Sequence, residues 1–412
     1  MRAQPILAPE ANLSRRQFLA AAGAATAGLS GGLGRSRAAG LSERTNTGEE
    51  RSMAASYLAY VGCRTTRERN ARGDGINVYR LNGETAAWTH VQLVGDLLNP
   101  SFLAFDRRQR CLYTVHGDSS EISAFPIDPR SGELAFLNRQ STRGKNPVHL
   151  TTDPTNRFIV VANHVTAGDY VSSLAVLALN QDGSLGALTD HMPLKGKLGP
   201  HRIEQPFAKP HQVQYDPSDR FIAVPGKGLD LVVTYTIDAA GKLKAIDAPP
   251  AHAREGAGPR HVGFHPRGPY AYVLNELDST VMACQFASKT GALAPFQVLS
   301  SLPDTFVGDS RASEIEVSRD GRFVYASNRG YDSVAIFAVD EGTGRLSAVA
   351  WQESAGKTPR FFALDPTGRR MFVTNEDSDT IVAFDVDQDT GALTNVGTAA
   401  QVGSPTCILF RA

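Results

Sequence analysis

A strand–turn–strand unit recurs six times in this chain with fixed spacing, and the repeat limits the possible folds more than any other feature. Each unit starts at an anchor residue, usually Pro, and reaches an Asn, or a residue in its place, sixteen positions later. The anchors and end residues are Pro100 and His116, Pro147 and Asn163, Pro210 and Gly226, Pro259 and Asn275, Ala312 and Asn328, and Pro359 and Asn375. Between them, two apolar segments flank a turn rich in Asp, Pro and Gly, which predicts a β-hairpin.

A third and a fourth strand-like segment follow each hairpin, as in SVAIF from residue 333 and the segment after Leu346. Four antiparallel strands in each repeat of 46 to 63 residues are typical of a β-propeller blade. A seventh blade is divided, with three strands in residues 57–94 and an anchored first strand in residues 405–410. We therefore predict an all-β, seven-bladed β-propeller over residues 55–412, in which the C-terminal strand joins the N-terminal blade and leaves no open sheet edge.

The first 54 residues read as export and linker sequence. Arg15 and Arg16 precede a run of small apolar residues and the sequence SRA at 36–38. This order predicts a twin-arginine signal peptide over residues 1–38, whereas the plainer interpretation is a disordered basic leader. A flexible linker over residues 39–54 and a periplasmic or secreted location follow from the first interpretation.

The composition of the chain limits its possible binding partners. The chain has 42 basic and 42 acidic residues, so no net charge favours nucleic acid or an anionic membrane, and we expect neither as a partner. The oligomeric state stays open. The cysteines, Cys63, Cys111, Cys284 and Cys407, stand singly and predict buried side chains rather than metal ligands. Ring closure would bring Cys63 near Cys407, and whether they form a disulfide also stays open.

Hairpin geometry indicates where a functional site can lie. The seven blades of a propeller form a disc around a central channel, which the innermost strands line. In each hairpin the first strand starts and the second strand ends at the same face of this disc. The residues that follow each anchor and each Asn therefore surround one mouth of the channel. In the hairpin of residues 255–276, Arg260 and His261 should therefore lie near Glu276. More than half of the equivalent positions hold His, Arg, Lys or Glu, which suits a small anionic or polyhydroxyl ligand. The alternative is that these charges are merely solvated strand ends.

Five motifs resemble the seven-bladed propeller lactonase family, which includes bacterial phosphogluconolactonases and fungal carboxymuconate-lactonizing enzymes. They are PHQV at 210–213, GAGPRHV at 256–262, VLNE at 273–276, SEIEVSRDGRFVYASNRG at 313–330 and TPRF at 358–361. The resemblance implies hydrolysis of a small sugar-acid or related lactone without metal or other cofactor. Its implied catalytic residues are His211, Arg260, Glu276 and Arg329. Other mouth positions predict the substrate contacts His149, His261, Glu314 and Arg360.

For hydrolysis, we expect His211 to act as a base on water or as an acid on the leaving oxygen, and Arg260 and Arg329 to bind and polarise the substrate. Two other functions stay open: a propeller that binds a ligand or partner without turnover, and a cycloisomerase that forms a lactone from an unsaturated diacid. The export signal departs from the cytoplasmic members of the family. An insertion over residues 190–209 is also expected to reshape the rim of the pocket.

Overall fold

The computed structural model describes residues 56–83, 85 and 87–411, which fall within one compact unit. The predicted signal peptide and linker lie outside the described residues. A single short 3-10 helix is described, Arg67–Arg69. In chain order the strands are β1 (Ser56–Cys63), β2 (Ile76–Asn82), β3 (Trp88–Val94), β4 (Leu103–Phe105), β5 (Cys111–Val115), β6 (Glu121–Pro126), β7 (Asn138–Ser141), β8 (Lys145–Thr152), β9 (Phe158–Val165), β10 (Ser173–Leu179), β11 (Leu185–Pro193), β12 (Gln214–Tyr215), β13 (Ile222–Gly226), β14 (Leu231–Ile237), β15 (Leu243–Ala245), β16 (Ala251–His252), β17 (Pro259–Phe264), β18 (Tyr270–Asn275), β19 (Thr280–Ala287), β20 (Ala292–Ser300), β21 (Arg311–Val317), β22 (Phe323–Arg329), β23 (Ser333–Val339), β24 (Leu346–Glu353), β25 (Pro359–Leu364), β26 (Arg370–Asn375), β27 (Thr380–Val386), β28 (Leu393–Gln401) and β29 (Pro405–Arg411).

These strands form seven antiparallel sheets, and the predicted propeller is confirmed. Blade 1 has the order β29-β1-β2-β3, and blades 2, 3, 5, 6 and 7 are β4–β7, β8–β11, β17–β20, β21–β24 and β25–β28. In blade 4, β14 pairs with β13 and with two short outer strands, β15 and β16. The first strands of neighbouring blades contact one another, for example β17 with β21 and β21 with β25, so they line the central channel.

Ring closure takes place in blade 1, as predicted. Strand β29 pairs antiparallel with β1, from Leu58 opposite Arg411 to Cys63 opposite Pro405. Ile408 and Cys407 are buried in this joint. Both cysteines of the joint are free thiols, as are Cys111 and Cys284, so the structure forms no disulfide between them. No helix in the described part of the chain is long and apolar enough to cross a membrane.

Neighbouring blades are joined by a repeated tyrosine–glycine contact. The hydroxyl of Tyr272 in blade 5 donates to the carbonyl of Gly344 in blade 6 at 3.1 Å, and Tyr325 does the same to Gly391 in blade 7 at 3.0 Å. Gly344 has a φ of 67°, and a Cβ there would lie 2.3 Å from the ring of Tyr270. The glycine turns between the third and fourth strands are thus explained by the close packing of successive blades.

A β-bulge follows the anchor in several blades and determines what faces the channel. The register shifts between Pro259 and His261 and between Pro359 and Phe361, which leaves Arg260 and Arg360 as the extra residues. A bulge re-aims the side chain of its extra residue. Consecutive residues, such as Arg260 and His261, therefore both reach the channel, which a regular strand would not allow.

Blade 4 departs most from the predicted repeat. Its inner strand β12 has only two residues. The preceding insertion is shorter than predicted, because β11 continues to Pro193 and pairs there with Ser173. Residues 194–209 form no strand and make up what we call the rim loop, which lies beside the channel mouth.

Candidate active site

A cavity of about 490 Å³ occupies the channel mouth. Seven basic and six acidic side chains line it, together with three histidines and a few apolar groups. Charges in such a partly enclosed space must be paired or solvated. Their pairing divides the mouth into two clusters, one around Glu276 and one around Glu376.

Glu276 is the centre of the first cluster. Its Oε1 lies 2.6 Å from Lys227 Nζ and 3.3 Å from Arg329 Nη2, and its Oε2 lies 3.2 Å from Arg260 Nε. Burial alone would raise the pKa of this carboxyl, but Lys227, Arg329 and Arg260 hold it well below its usual range. Glu276 is therefore an ionised, buried carboxylate that fixes three cations, and the predicted proximity of Arg260 to Glu276 is confirmed.

Arg260 also joins this cluster to a buried histidine–carboxylate pair. Its Nη1 donates to the Ser313 carbonyl and lies 3.3 Å from His261 Nε2, while His261 Nδ1 lies 2.9 Å from Glu314 Oε1. Burial raises the pKa of Glu314 to about 8, and burial beside Arg260 holds the pKa of His261 well below 6.5. Both groups are thus held in their neutral forms near pH 7.

His211 lies between two other histidines and retains free ring nitrogens. Its ring centroid is 5.1 Å from that of His164 and 5.2 Å from that of His261. The buried Nδ1 has no hydrogen-bond partner among the described residues. Burial is the main cause that holds the pKa of His211 well below 6.5, and the nearby positive charge of Arg260 is the second. This imidazole is therefore neutral near pH 7 and can accept a proton.

The second cluster surrounds Glu376 on another part of the mouth. Arg64 Nε lies 3.0 Å from its Oε1, and Arg360 Nη1 lies 3.5 Å from its Oε2. Sequence reasoning missed Arg64. A signal was present, because Cys63 pairs with Pro405 just as Asn275 pairs with Pro259, which makes Arg64 the counterpart of Glu276 in the closing blade.

The rim loop adds residues that the repeat did not predict. Glu204 Oε2 lies 3.2 Å from Lys227 Nζ and 4.0 Å from Lys209 Nζ, and its Oε1 lies 2.6 Å from Arg311 Nη1. Lys227 thereby bridges Glu204 and Glu276. The insertion itself was the only sequence signal for Glu204, because a loop without periodicity does not predict which side chain reaches the cavity.

Seven of the eight predicted site residues line the mouth cavity, and His149 does not. The prediction that His149 lies at the mouth is wrong. The bulge between Pro147 and His149 turns Val148 towards the mouth instead. His149 lines a second cavity of about 520 Å³, where its ring centroid is 3.9 Å from that of Phe102.

The two cavities share part of their lining. Phe102, His261, Glu314 and Phe361 contribute to both of them, so these side chains lie where the cavities adjoin. Among the described residues, no group of three or more His, Cys, Asp or Glu side chains is arranged to hold a metal ion.

The matches to known proteins cover the propeller part of the chain. A family model described as "Lactonase, 7-bladed beta-propeller" matches residues 58–410. A 6-phosphogluconolactonase of Bacillus subtilis is 35% identical over 315 residues, which cover 76% of this chain and 86% of that protein. A second 6-phosphogluconolactonase, from Formosa agariphila, is 30% identical over 310 residues, covering 72% of this chain and 84% of that protein. The solved structure of a periplasmic gluconolactonase of Pseudomonas aeruginosa matches with a TM-score of 0.79 and 30% identity, over 87% of this chain and 99% of that one.

Proposed function

Because this chain belongs to the lactonase family of seven-bladed β-propellers, we propose that it hydrolyses a sugar-acid lactone at the channel mouth. The observation that carries the proposal is the convergence of His211, Arg260, Glu276 and Arg329, from three consecutive blades, on one cavity. Relatives named 6-phosphogluconolactonase and gluconolactonase support the substrate class.

In this proposal, His211 is the general base. A water molecule attacks the carbonyl carbon of the lactone and passes a proton to a ring nitrogen of His211. The bond between the carbonyl carbon and the ring oxygen then breaks, and the proton on His211 moves to the departing oxygen. The product is the open-chain hydroxy acid. A neutral imidazole without competing hydrogen bonds suits the first step, and its low pKa favours the return of the proton in the second.

Arg260 and Arg329 stabilise the oxyanion that develops on the carbonyl oxygen. Arg329 Nε is buried and has no hydrogen-bond partner among the described residues, so it can donate to a bound oxygen. Glu276 holds both guanidinium groups in place before substrate arrives, because it pairs with each within 3.3 Å. Donors that are fixed in advance, in a cavity with little water, stabilise such charge most effectively.

Arg360, His261 and Glu314 contact the sugar in this proposal. Arg360 lines the mouth beside Glu376, and His261 and Glu314 line it where it adjoins the second cavity. Guanidinium, imidazole and carboxyl groups can each form hydrogen bonds with sugar hydroxyls. His149, which lies in the second cavity, has no part in this step.

Hydrolysis of glucono-1,5-lactone, followed as acid release above the spontaneous rate, tests the proposal. We expect His211→Asn to lose about 10²- to 10⁴-fold in kcat/KM, as is typical for a general base. His252→Asn is the control, since His252 is exposed on β16 and lies outside the mouth cavity. Full activity in a folded His211→Asn variant would remove His211 from the mechanism. Binding of the lactone by the parent chain without turnover would support a binding protein instead.

We also infer export to the periplasm through the predicted twin-arginine signal. Support comes from Arg15 and Arg16 with the apolar run that follows them, and from the periplasmic location stated for the Pseudomonas gluconolactonase. Cell fractionation of the full chain and of a variant with both arginines changed to Lys tests this. The parent should be found in the periplasmic fraction and the variant in the cytoplasm, and equal distribution of the two would contradict the inference.

A further inference from the structure

We infer that Glu204 is a specificity-determining residue that selects sugar lactones without a phosphate group. This inference rests on the proposed lactone hydrolysis and concerns the rim of the same site. Glu204 comes from the rim loop, which lies outside the repeated blade strands. Its carboxylate occupies the position among three cations that a phosphate monoester would otherwise take.

The three cations around Glu204 would form a phosphate site if the carboxylate were absent. Lys209 and Lys227 flank the inner hairpin of blade 4, Arg311 begins blade 6, and all three lie within 4.0 Å of the Glu204 oxygens. The side chains of Lys227 and Lys209 are only 6% and 11% exposed. Converging, partly desolvated cations are the usual receptor for a phosphate dianion. In this chain they are already bound to an internal carboxylate.

The rim loop holds Glu204 firmly in this position through its neighbour Gln205. Gln205 is buried, and its Nε2 donates to the Lys227 carbonyl at 2.9 Å and to Asp230 Oδ1 at 2.7 Å. Asp230 also accepts the backbone N–H groups of Gly256 and Gly258, at 2.7 Å and 2.9 Å. Glu204 is therefore tied to the backbone that carries Lys227 and to the segment that leads into Arg260.

The pairing of charges around the mouth agrees with a substrate that carries no phosphate. Glu204 pairs with Lys227 on one side, and Glu376 pairs with Arg64 and Arg360 in the second cluster. Both cationic parts of the rim thus have their own carboxylate. A phosphate dianion at the Lys227 side would meet Glu204 at short range, and like charges at such distances oppose binding. A polyhydroxyl lactone meets no such repulsion.

The test compares glucono-1,5-lactone with its 6-phosphate ester as substrates of the parent chain and of Glu204→Gln. We expect the parent to prefer the unphosphorylated lactone. Glu204→Gln should raise kcat/KM for the phosphorylated lactone relative to the unphosphorylated one by at least about tenfold, the effect of one carboxylate roughly 5 Å from a phosphate dianion at the dielectric constant of bulk water. Glu255→Gln is the matched control, because Glu255 pairs with Lys197 and is 77% exposed. That control should leave the ratio unchanged.

Two results would overturn the inference. One is that the ratio of kcat/KM for the phosphorylated lactone to that for the unphosphorylated lactone is the same in Glu204→Gln, or in Glu204→Ala, as in the parent. The other is an equal rise in the Glu255→Gln control. If the parent hydrolyses neither lactone, the proposed function fails. Calorimetric binding of gluconate and 6-phosphogluconate then tests separately whether Glu204 excludes a phosphate group. Glu204→Gln should strengthen binding of 6-phosphogluconate alone, and unchanged binding would contradict the role of Glu204.

Discussion

The buried carboxylate of Glu276 provides a quantitative test of how the mouth is stabilised. In Glu276→Gln, the charge that compensates Lys227, Arg260 and Arg329 is removed while the side-chain volume is kept. These cations lie 2.6, 3.2 and 3.3 Å from the carboxylate, and the side chains of Lys227, Arg260 and Glu276 are at most 6% exposed. We therefore expect the variant to leave the guanidinium groups of Arg260 and Arg329 without the carboxylate that compensates them, while Lys227 keeps only its contact with Glu204.

The expected loss can be worked out from this geometry. Removing one partner of a buried ion pair typically costs about 3–5 kcal/mol in the free energy of unfolding. An entropy of unfolding of about 2.1 cal/mol/K per residue, over roughly 350 residues, converts this to a decrease in Tm of about 4–7 °C. Because the pKa of Glu276 is held well below 4.5, the carboxylate stays ionised and its contribution should persist from pH 7 to pH 5.

Thermal and urea unfolding, followed by circular dichroism, measure this difference at pH 5 and pH 7. Glu255→Gln makes the same chemical change in an exposed pair, where a loss of about 1 kcal/mol or less is expected. Lactone hydrolysis should fall in Glu276→Gln, since Arg260 and Arg329 lose the group that fixes them. An effect on stability no larger than that of the control would refute the interpretation of Glu276 as the centre of a buried charge cluster.

Three further predictions follow from the structure. Deleting residues 404–412 should lower the free energy of unfolding by on the order of 5 kcal/mol, because buried Cys407 and Ile408 leave the closing sheet, and an unchanged melting curve would contradict closure. Because burial and Arg260 hold the pKa of His211 well below 6.5, kcat/KM for the lactone should be equal at pH 6 and pH 7, whereas a midpoint near 6.5 would contradict a buried base. The raised pKa of Glu314, about 8, means that its contribution to stability is fully present below pH 4.5 and is lost as pH rises through 8. Glu314→Gln should therefore lose less stability than the parent between pH 6 and pH 9 in urea unfolding, and an equal loss would contradict this.

The sequence predicted the ring and most of the mouth because antiparallel pairing depends on spacing. A gap of sixteen residues places each anchor opposite its Asn, as with Pro259 and Asn275, so the flanking positions Arg260 and Glu276 must lie close together. The glycine turns were recognisable as well, and the structure shows that the ring of Tyr270 leaves no space for a Cβ at Gly344.

The residues that were missed depend on contacts that spacing does not encode. Arg64 belongs to a hairpin whose two strands lie at opposite ends of the chain, so no fixed gap relates Cys63 to Pro405. Glu204 reaches the mouth from the rim loop, which buried Gln205 ties to Lys227 and Asp230. His149 was misplaced because a bulge decides which of two consecutive side chains faces the mouth, and an alternating pattern cannot show this.

The most direct measurement is a crystal structure of the chain soaked with gluconate, the product of hydrolysis of glucono-1,5-lactone. The mechanism predicts gluconate in the mouth cavity, with its carboxylate about 3 Å from the guanidinium groups of Arg260 and Arg329 and beside His211. Gluconate bound in the second cavity beside His149, with the mouth empty, would contradict the assignment of this cavity as the active site.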